Sequence, residues 1–140
     1  MFRSSIERGE PPQVFEDGGQ LRDFVHVSDV VRANLLAATS AKAPGEVINV
    51  GSGRSSSLVD LIATLKQVIG GSAAQLEIEH QAPRAGDLRE SSADISKARA
   101  LLGYEPRVQL AEGLAGVVEF FRGPKAGGAL KGPAGMSLRT

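Results

Sequence analysis

The chain has 140 residues, with 16 Lys plus Arg set against 16 Asp plus Glu, 41% apolar residues, and neither Cys nor Trp. The length suits one domain, and the lack of cysteine excludes a disulfide scaffold or a thiolate metal site. A neutral balance gives no support to a nucleic-acid partner, no apolar run approaches a membrane span, and residues 1–8 lack the apolar core of a secretory signal, so a soluble cytoplasmic protein is expected.

Taken along the chain, Gln13-Val14-Phe15 reads as a short strand, with Asp17-Gly18-Gly19 as the turn that ends it. Phe24–Val27 is an apolar run bounded by polar residues and reads as a buried strand. A helix starts near Ser28 or Asp29 and runs to Ala38, its alanines suited to close packing against a sheet. Glu46–Val50 is a second apolar run and reads as another buried strand. Ser57 caps a helix whose stripe is Leu58, Leu61, Ile62, Leu65, Val68 and Ile69, stopped by Gly70-Gly71. Gln75–His80 alternates strictly, the mark of a half-exposed strand. Asp94 can cap a helix carrying Ile95, Ala98 and Leu102, with Gly103 as its stop and Pro106 beyond. Leu114, Val117, Val118 and Phe121 form the last stripe, closed by Gly123-Pro124. Strands alternating with helices predict an α/β fold.

The neutral balance hides an asymmetry. Residues 1–122 hold 13 basic and 16 acidic side chains, whereas residues 123–140 hold Lys125, Lys131 and Arg139 and no acid. This tail has five Gly and two Pro in 18 residues and no periodicity. It is expected to be disordered, because it can bury too little to offset the entropy of ordering it.

Three places invite a chemical reading. Ile48-Asn49-Val50-Gly51-Ser52-Gly53 runs a strand into a G-x-G turn, as a dinucleotide fingerprint begins, but Ser56 stands where the third glycine belongs. A tight turn that ends a strand is the better reading. His26 lies between Asp23 and Asp29, yet strand alternation turns Asp23 away from the imidazole, so His26 reads as structural. Pro83-Arg84-Ala85-Gly86-Asp87 is irregular. An arginine fork suits phosphate oxygens, a loop glycine allows close backbone approach, and a carboxylate suits ribose hydroxyls, with Arg22 as a possible second cation. By residue type alone, an Arg–Asp surface turn is the favoured reading of this loop.

Several motifs in order resemble one family. Pro11–Val30 (PPQVFEDGGQLRDFVHVSDV), then Asn49-Val50-Gly51-Ser52-Gly53, Arg84-Ala85-Gly86-Asp87, Ala93–Ala98 and Leu102–Pro106 are similar to the NAD-dependent nucleotide-sugar epimerase/dehydratase family. These are extended short-chain dehydrogenases/reductases. The resemblance covers residues 8–122 and within the family leans towards sugar-nucleotide 4-epimerases, including the dTDP-rhamnose type. It implies the C-terminal portion of that fold, namely late Rossmann strand–helix elements plus the small α/β substrate-binding domain over residues 1–122. It also implies that Arg22 and Arg84 contact the diphosphate of a UDP- or dTDP-linked sugar, Asp87 the ribose, and the backbone around Val14 and Phe15 the base. Relatives use NAD, held by G-x-x-G-x-x-G, and a Tyr-x-x-x-Lys pair. Neither motif occurs in these 140 residues. The expectation is therefore that this chain alone binds no NAD and is inactive. The helices through which relatives pair are expected to be absent too, and a separate N-terminal half could complete the site. The rival expectations are a stand-alone nucleotide- or partner-binding module and a non-functional gene remnant. Two departures from the family pattern stand out: Glu16 replaces the commoner glycine, and Ser91 replaces an aromatic residue after the Arg-x-Gly-Asp motif.

Overall fold

The structure, a computed structural model, describes residues 2–84 and 86–123. The basic tail lies outside the described residues, apart from Gly123. In chain order come α1 (Phe2–Glu7), β1 (Gln13–Phe15), β2 (Leu21–Asp23), α2 (Val27–Thr39), β3 (Ser55–Ser57) and α3 (Leu58–Ile69). A 3₁₀ turn at Gly71–Gln75, β4 (Glu79–Gln81), β5 (Glu90–Ser91), α4 (Ser96–Leu102) and α5 (Leu110–Arg122) follow. The α/β expectation holds, with two small sheets. In one, β1 pairs parallel with β4, bringing Val14 opposite His80. In the other, β2 is central, antiparallel to β3 and parallel to β5, with Arg22 opposite both Ser56 and Ser91.

Local chemistry explains the helices. Ser57 and Asp60 form a reciprocal capping box at the start of α3, and Gly70 ends it. Gly103 closes α4 in the left-handed conformation that glycine takes without penalty, at φ 63°. The helix expected to be capped by Asp94 starts one residue later, with Ile95 at the N-cap, and Asp94 tethers its first residue from one position further back by accepting from the Ser96 amide and hydroxyl.

Packing divides into two apolar clusters. Ile62 and Leu65 of α3 meet Ile6, Val14, Ala73 and Val118 in the first. Ala33 of α2 meets Ile95, Ala98, Leu102 and Tyr104 in the second. The alanines of α2 thus pack on α4 and its flanks, not on a sheet as expected. On α5 only Val118 of the expected stripe is fully buried, and Val117 and Phe121 are exposed.

Three strand expectations need correction. The ladder expected at Phe24–Val27 lies just upstream, at Leu21–Asp23, and Val27 already opens α2. Glu46–Val50 belongs to no ladder among the described residues: Ile48 and Val50 lean on the second cluster, while Val47 is 85% exposed. An apolar run becomes a strand only where a neighbouring backbone offers hydrogen bonds. Gln75–His80 divides between the end of the 3₁₀ turn and the start of β4, because the ladder with β1 begins only at Glu79.

Candidate functional site

β2 delivers its side chains to the edge where the Pro83–Asp87 loop returns. Its position is fixed by the Leu21 amide donating to Arg89 O at 2.9 Å and by the parallel pairing with β5. From there the Arg22 guanidinium reaches Asp87, with Nη2 donating to Oδ1 at 2.8 Å, while Nη1 donates to Leu21 O at 2.8 Å. Arg84, from the same loop as Asp87, lies with its guanidinium 5.8 Å from the centroid of the Phe15 ring, within cation–π range. Among the described residues Arg84 makes no ion pair. Phe15, Arg22, Arg84 and Asp87, scattered over more than 70 positions of sequence, thus form two contacting pairs, joined where the Asp87 amide donates to Arg84 O at 3.2 Å. Val14 does not join them through its side chain, which is 1% exposed in the first apolar cluster. Only its backbone, paired with β4, lies beside them.

The loop and the turn that frame these pairs are tied together. Arg89 grips Asp17 with two bonds, at 2.7 and 2.9 Å, and the Gly19 amide donates to the same carboxylate at 2.9 Å. The Arg89 guanidinium, helped by that amide, holds the Asp17 carboxyl well below the usual carboxylate range. Arg22 also borders a shallow cavity of about 320 Å³ with Asn49, Ser91 and Ser92. Ser91, opposite Arg22 in the ladder, lines this cavity with a small side chain.

An arginine carries five N–H donors, so the pairing with Asp87 and Leu21 leaves Arg22 able to donate elsewhere. Two guanidinium groups, a carboxylate and an aromatic face suit a polyanion carrying hydroxyls and a flat ring. They do not suit a metal ion, and no cluster of potential metal ligands is found among the described residues.

The other two sequence candidates resolve differently. The amides of Ser52 and Gly53 donate to Asp23 Oδ1 and Oδ2 at 2.7 and 3.1 Å. A Cβ on Gly51 would stand 2.4 Å from Asp23 Oδ2 and 2.8 Å from Ala93 Cβ. The glycines thus admit an internal carboxylate, and the N–H groups that a pyrophosphate would need are occupied. The turn does not fit the pyrophosphate of NAD. Tyr104, fully buried, locks the same turn by donating to Gly51 O at 2.8 Å. His26 caps α2, its Nδ1 accepting from the Ser28 amide at 3.3 Å and lying 2.7 Å from the Ser28 hydroxyl. Asp23 points to the glycine turn and not to His26, as alternation required.

Residue type marked Arg22, Arg84 and Asp87, but it missed Gln20, Asp23, Arg89 and Tyr104. The signal for Asp23 was present: a carboxylate and a glycine turn are natural partners, although nothing local places them together across 28 residues. Nothing in the sequence marks Gln20 as buried.

The family described as the NAD dependent epimerase/dehydratase family matches residues 1–51. The UDP-glucose 4-epimerase of Mycolicibacterium smegmatis is 41% identical over 122 residues, which is 87% of this chain and 38% of that protein. Among solved structures, UDP-glucose 4-epimerase from Thermotoga maritima with UDP-glucose superposes with a TM-score of 0.77 at 43% identity, covering 86% of this chain and 38% of that one. UDP-glucuronic acid 4-epimerase from Bacillus cereus, in complex with UDP-glucuronic acid and NAD, superposes with a TM-score of 0.74 at 31% identity, covering 86% and 38%. The fold is thus that of part of an extended short-chain dehydrogenase/reductase. The chain is similar to these epimerases over 86–87% of its own length, matches the NAD-dependent epimerase/dehydratase family over residues 1–51, and spans 38% of the length of these relatives.

Proposed function

We propose that this chain carries the nucleotide-diphosphate end of a sugar-nucleotide epimerase or dehydratase site. The observation that carries this reading is the two joined pairs, Arg22 with Asp87 and Arg84 with Phe15. Arg22 and Arg84 bind the diphosphate, Asp87 accepts from the ribose hydroxyls, and the backbone at Val14 and Phe15 flanks the base. Bonds between a guanidinium and a phosphate are about twice as strong as neutral ones, so two arginines concentrate affinity on the diphosphate. NAD supplies the hydride chemistry in the family, and the Asp23-filled glycine turn offers it no place. On this reading the chain by itself binds substrate without turning it over, since neither G-x-x-G-x-x-G nor Tyr-x-x-x-Lys occurs in its 140 residues. Titration calorimetry of the full chain with UDP-glucose and dTDP-glucose tests the reading: heat of binding is expected for at least one, and none at millimolar ligand overturns it.

A specific observation supports a further reading, a complementing N-terminal half. Val27, Val31 and Leu35 recur every fourth residue on α2 and are 68%, 52% and 65% exposed. The segment Glu46–Val50, whose Ile48 and Val50 pack on the second cluster, has no ladder partner among the described residues. A stripe and an unpaired segment of this kind suit an adjoining α/β layer, and the Rossmann half of a homologous epimerase has that chemistry.

A further inference from the structure

Two polar side chains are fully buried among the described residues, Asp29 and Gln20. Asp29 spends its carboxylate on Arg32 and on the backbone amides of Arg107 and Val108. Gln20 is different. It is 2% exposed, and its Oε1 has no hydrogen-bond partner among the described residues. An apolar residue of similar volume would avoid the penalty of a buried, unpartnered carbonyl. The amide earns its place on the opposite side, where Nε2 donates to Phe15 O at 3.0 Å and faces Asp87 Oδ2 at 3.4 Å.

We propose that Gln20 is a positioning residue of the nucleotide site, fixing the Phe15 backbone and the Asp87 carboxylate in one frame so that base and ribose are read together. The inference rests on the binding role proposed above. Gln20 immediately precedes β2, Arg22 lies within it, and both side chains reach Asp87. Arg22 holds Asp87 Oδ1 at 2.8 Å and Gln20 faces Oδ2, so a single segment governs both oxygens. The carboxylate needs such control because its own loop is irregular, with Gly86 at φ 84°. Gln20 itself is too deeply buried to touch a ligand. It acts through Phe15 and Asp87.

The test compares the full wild-type chain with Gln20→Leu, which removes the donor and the stranded carbonyl together. Calorimetry is run with UDP, with 2′,3′-dideoxyuridine diphosphate and with inorganic pyrophosphate, beside thermal melting of each protein. For Gln20→Leu the melting temperature should be unchanged or higher, and pyrophosphate affinity should stay within about twofold. UDP affinity should fall about tenfold, and the preference for UDP over its dideoxy analogue should collapse towards one. A role confined to folding predicts an equal loss for all three ligands or a lower melting temperature, and either result overturns the proposal. If the wild type binds neither UDP nor pyrophosphate, the nucleotide reading falls and this one with it. If the wild type prefers UDP and Gln20→Leu keeps that preference, only the positioning role falls. Should Gln20→Leu fail to fold, NMR of the wild-type Gln20 carboxamide decides. Its resonances are expected to move on adding UDP and to stay on adding pyrophosphate, and no response to UDP overturns the assignment.

Discussion

Single residues show where the chain departs from what its backbone prefers. Glu16 is the only described non-glycine residue with positive φ, at 54°, and it stands where the family commonly has glycine. A side chain in this left-handed conformation costs about 1–2 kcal/mol, and glycine would remove that cost. Glycine also loosens the unfolded chain, which returns about 0.4–1 kcal/mol. The exposed Glu16–Arg89 contact at 3.7 Å adds little to the balance. Glu16→Gly is therefore expected to raise the melting temperature by about 2 °C, and a fall would contradict the strain argument. The family resemblance marks position 16 as unusual, and the backbone angle gives a physical reason for glycine there. Arg22, Arg84 and Asp87 were legible for a related reason, since guanidinium and carboxylate groups in a loop advertise their chemistry. Gln20 was not, because burial depends on what folds over it.

Between elements, Asp29 is the main polar joint. From the first turn of α2 it accepts from the Arg107 amide at 3.0 Å and the Val108 amide at 3.1 Å, and from Arg32 at 3.0 Å. Burial pushes its carboxyl up, but the Val108 amide, Arg32 and the Arg107 amide together outweigh that and hold it below the ordinary value of 3.8. Ser57 acts in the same direction on Asp60, and Ser96 on Asp94. A carboxyl depressed in the folded state binds fewer protons than its unfolded counterpart, so stability rises with pH across the interval between the two values. The contribution is fully present above about pH 5 and is lost as pH falls through 3.8 and below. Asp29→Ala leaves two amides without an acceptor and should cost about 2–4 kcal/mol in urea unfolding. It should also flatten the acid limb of the stability profile, and an unchanged limb would show that Asp29 is not the coupling group. Helices were largely legible at this scale, because Ser57, Gly70 and Gly103 carry their caps in the sequence. Strands were not. Glu46–Val50 has the residues of a buried strand, but an apolar period cannot report whether a pairing partner exists in the same chain.

For the molecule as a whole, the unpaired segment and the α2 stripe make one argument. Val27, Val31 and Leu35 expose an apolar stripe along α2, and Val47 is exposed as well, surface that a partner layer would cover. The N-terminal part of a homologous UDP-glucose 4-epimerase, co-expressed with this chain, is expected to co-purify with it and to restore epimerase turnover. Val31→Glu should break that association without lowering the melting temperature of the chain alone. Failure of the two pieces to associate would remove the complementing half from consideration and leave the binding role untouched.

That binding role depends on Arg22 and Arg84 acting on one ligand, and a double-mutant titration addresses it most directly. UDP-glucose is titrated into the full wild-type chain, Arg22→Ala, Arg84→Ala and the double variant, each checked for a cooperative melt. Each single substitution is expected to weaken binding about 10- to 100-fold, as for the loss of a hydrogen bond to a charged group, and the double variant to bind beyond the measurable range. Wild-type affinity in either single variant, with folding intact, would contradict the diphosphate site.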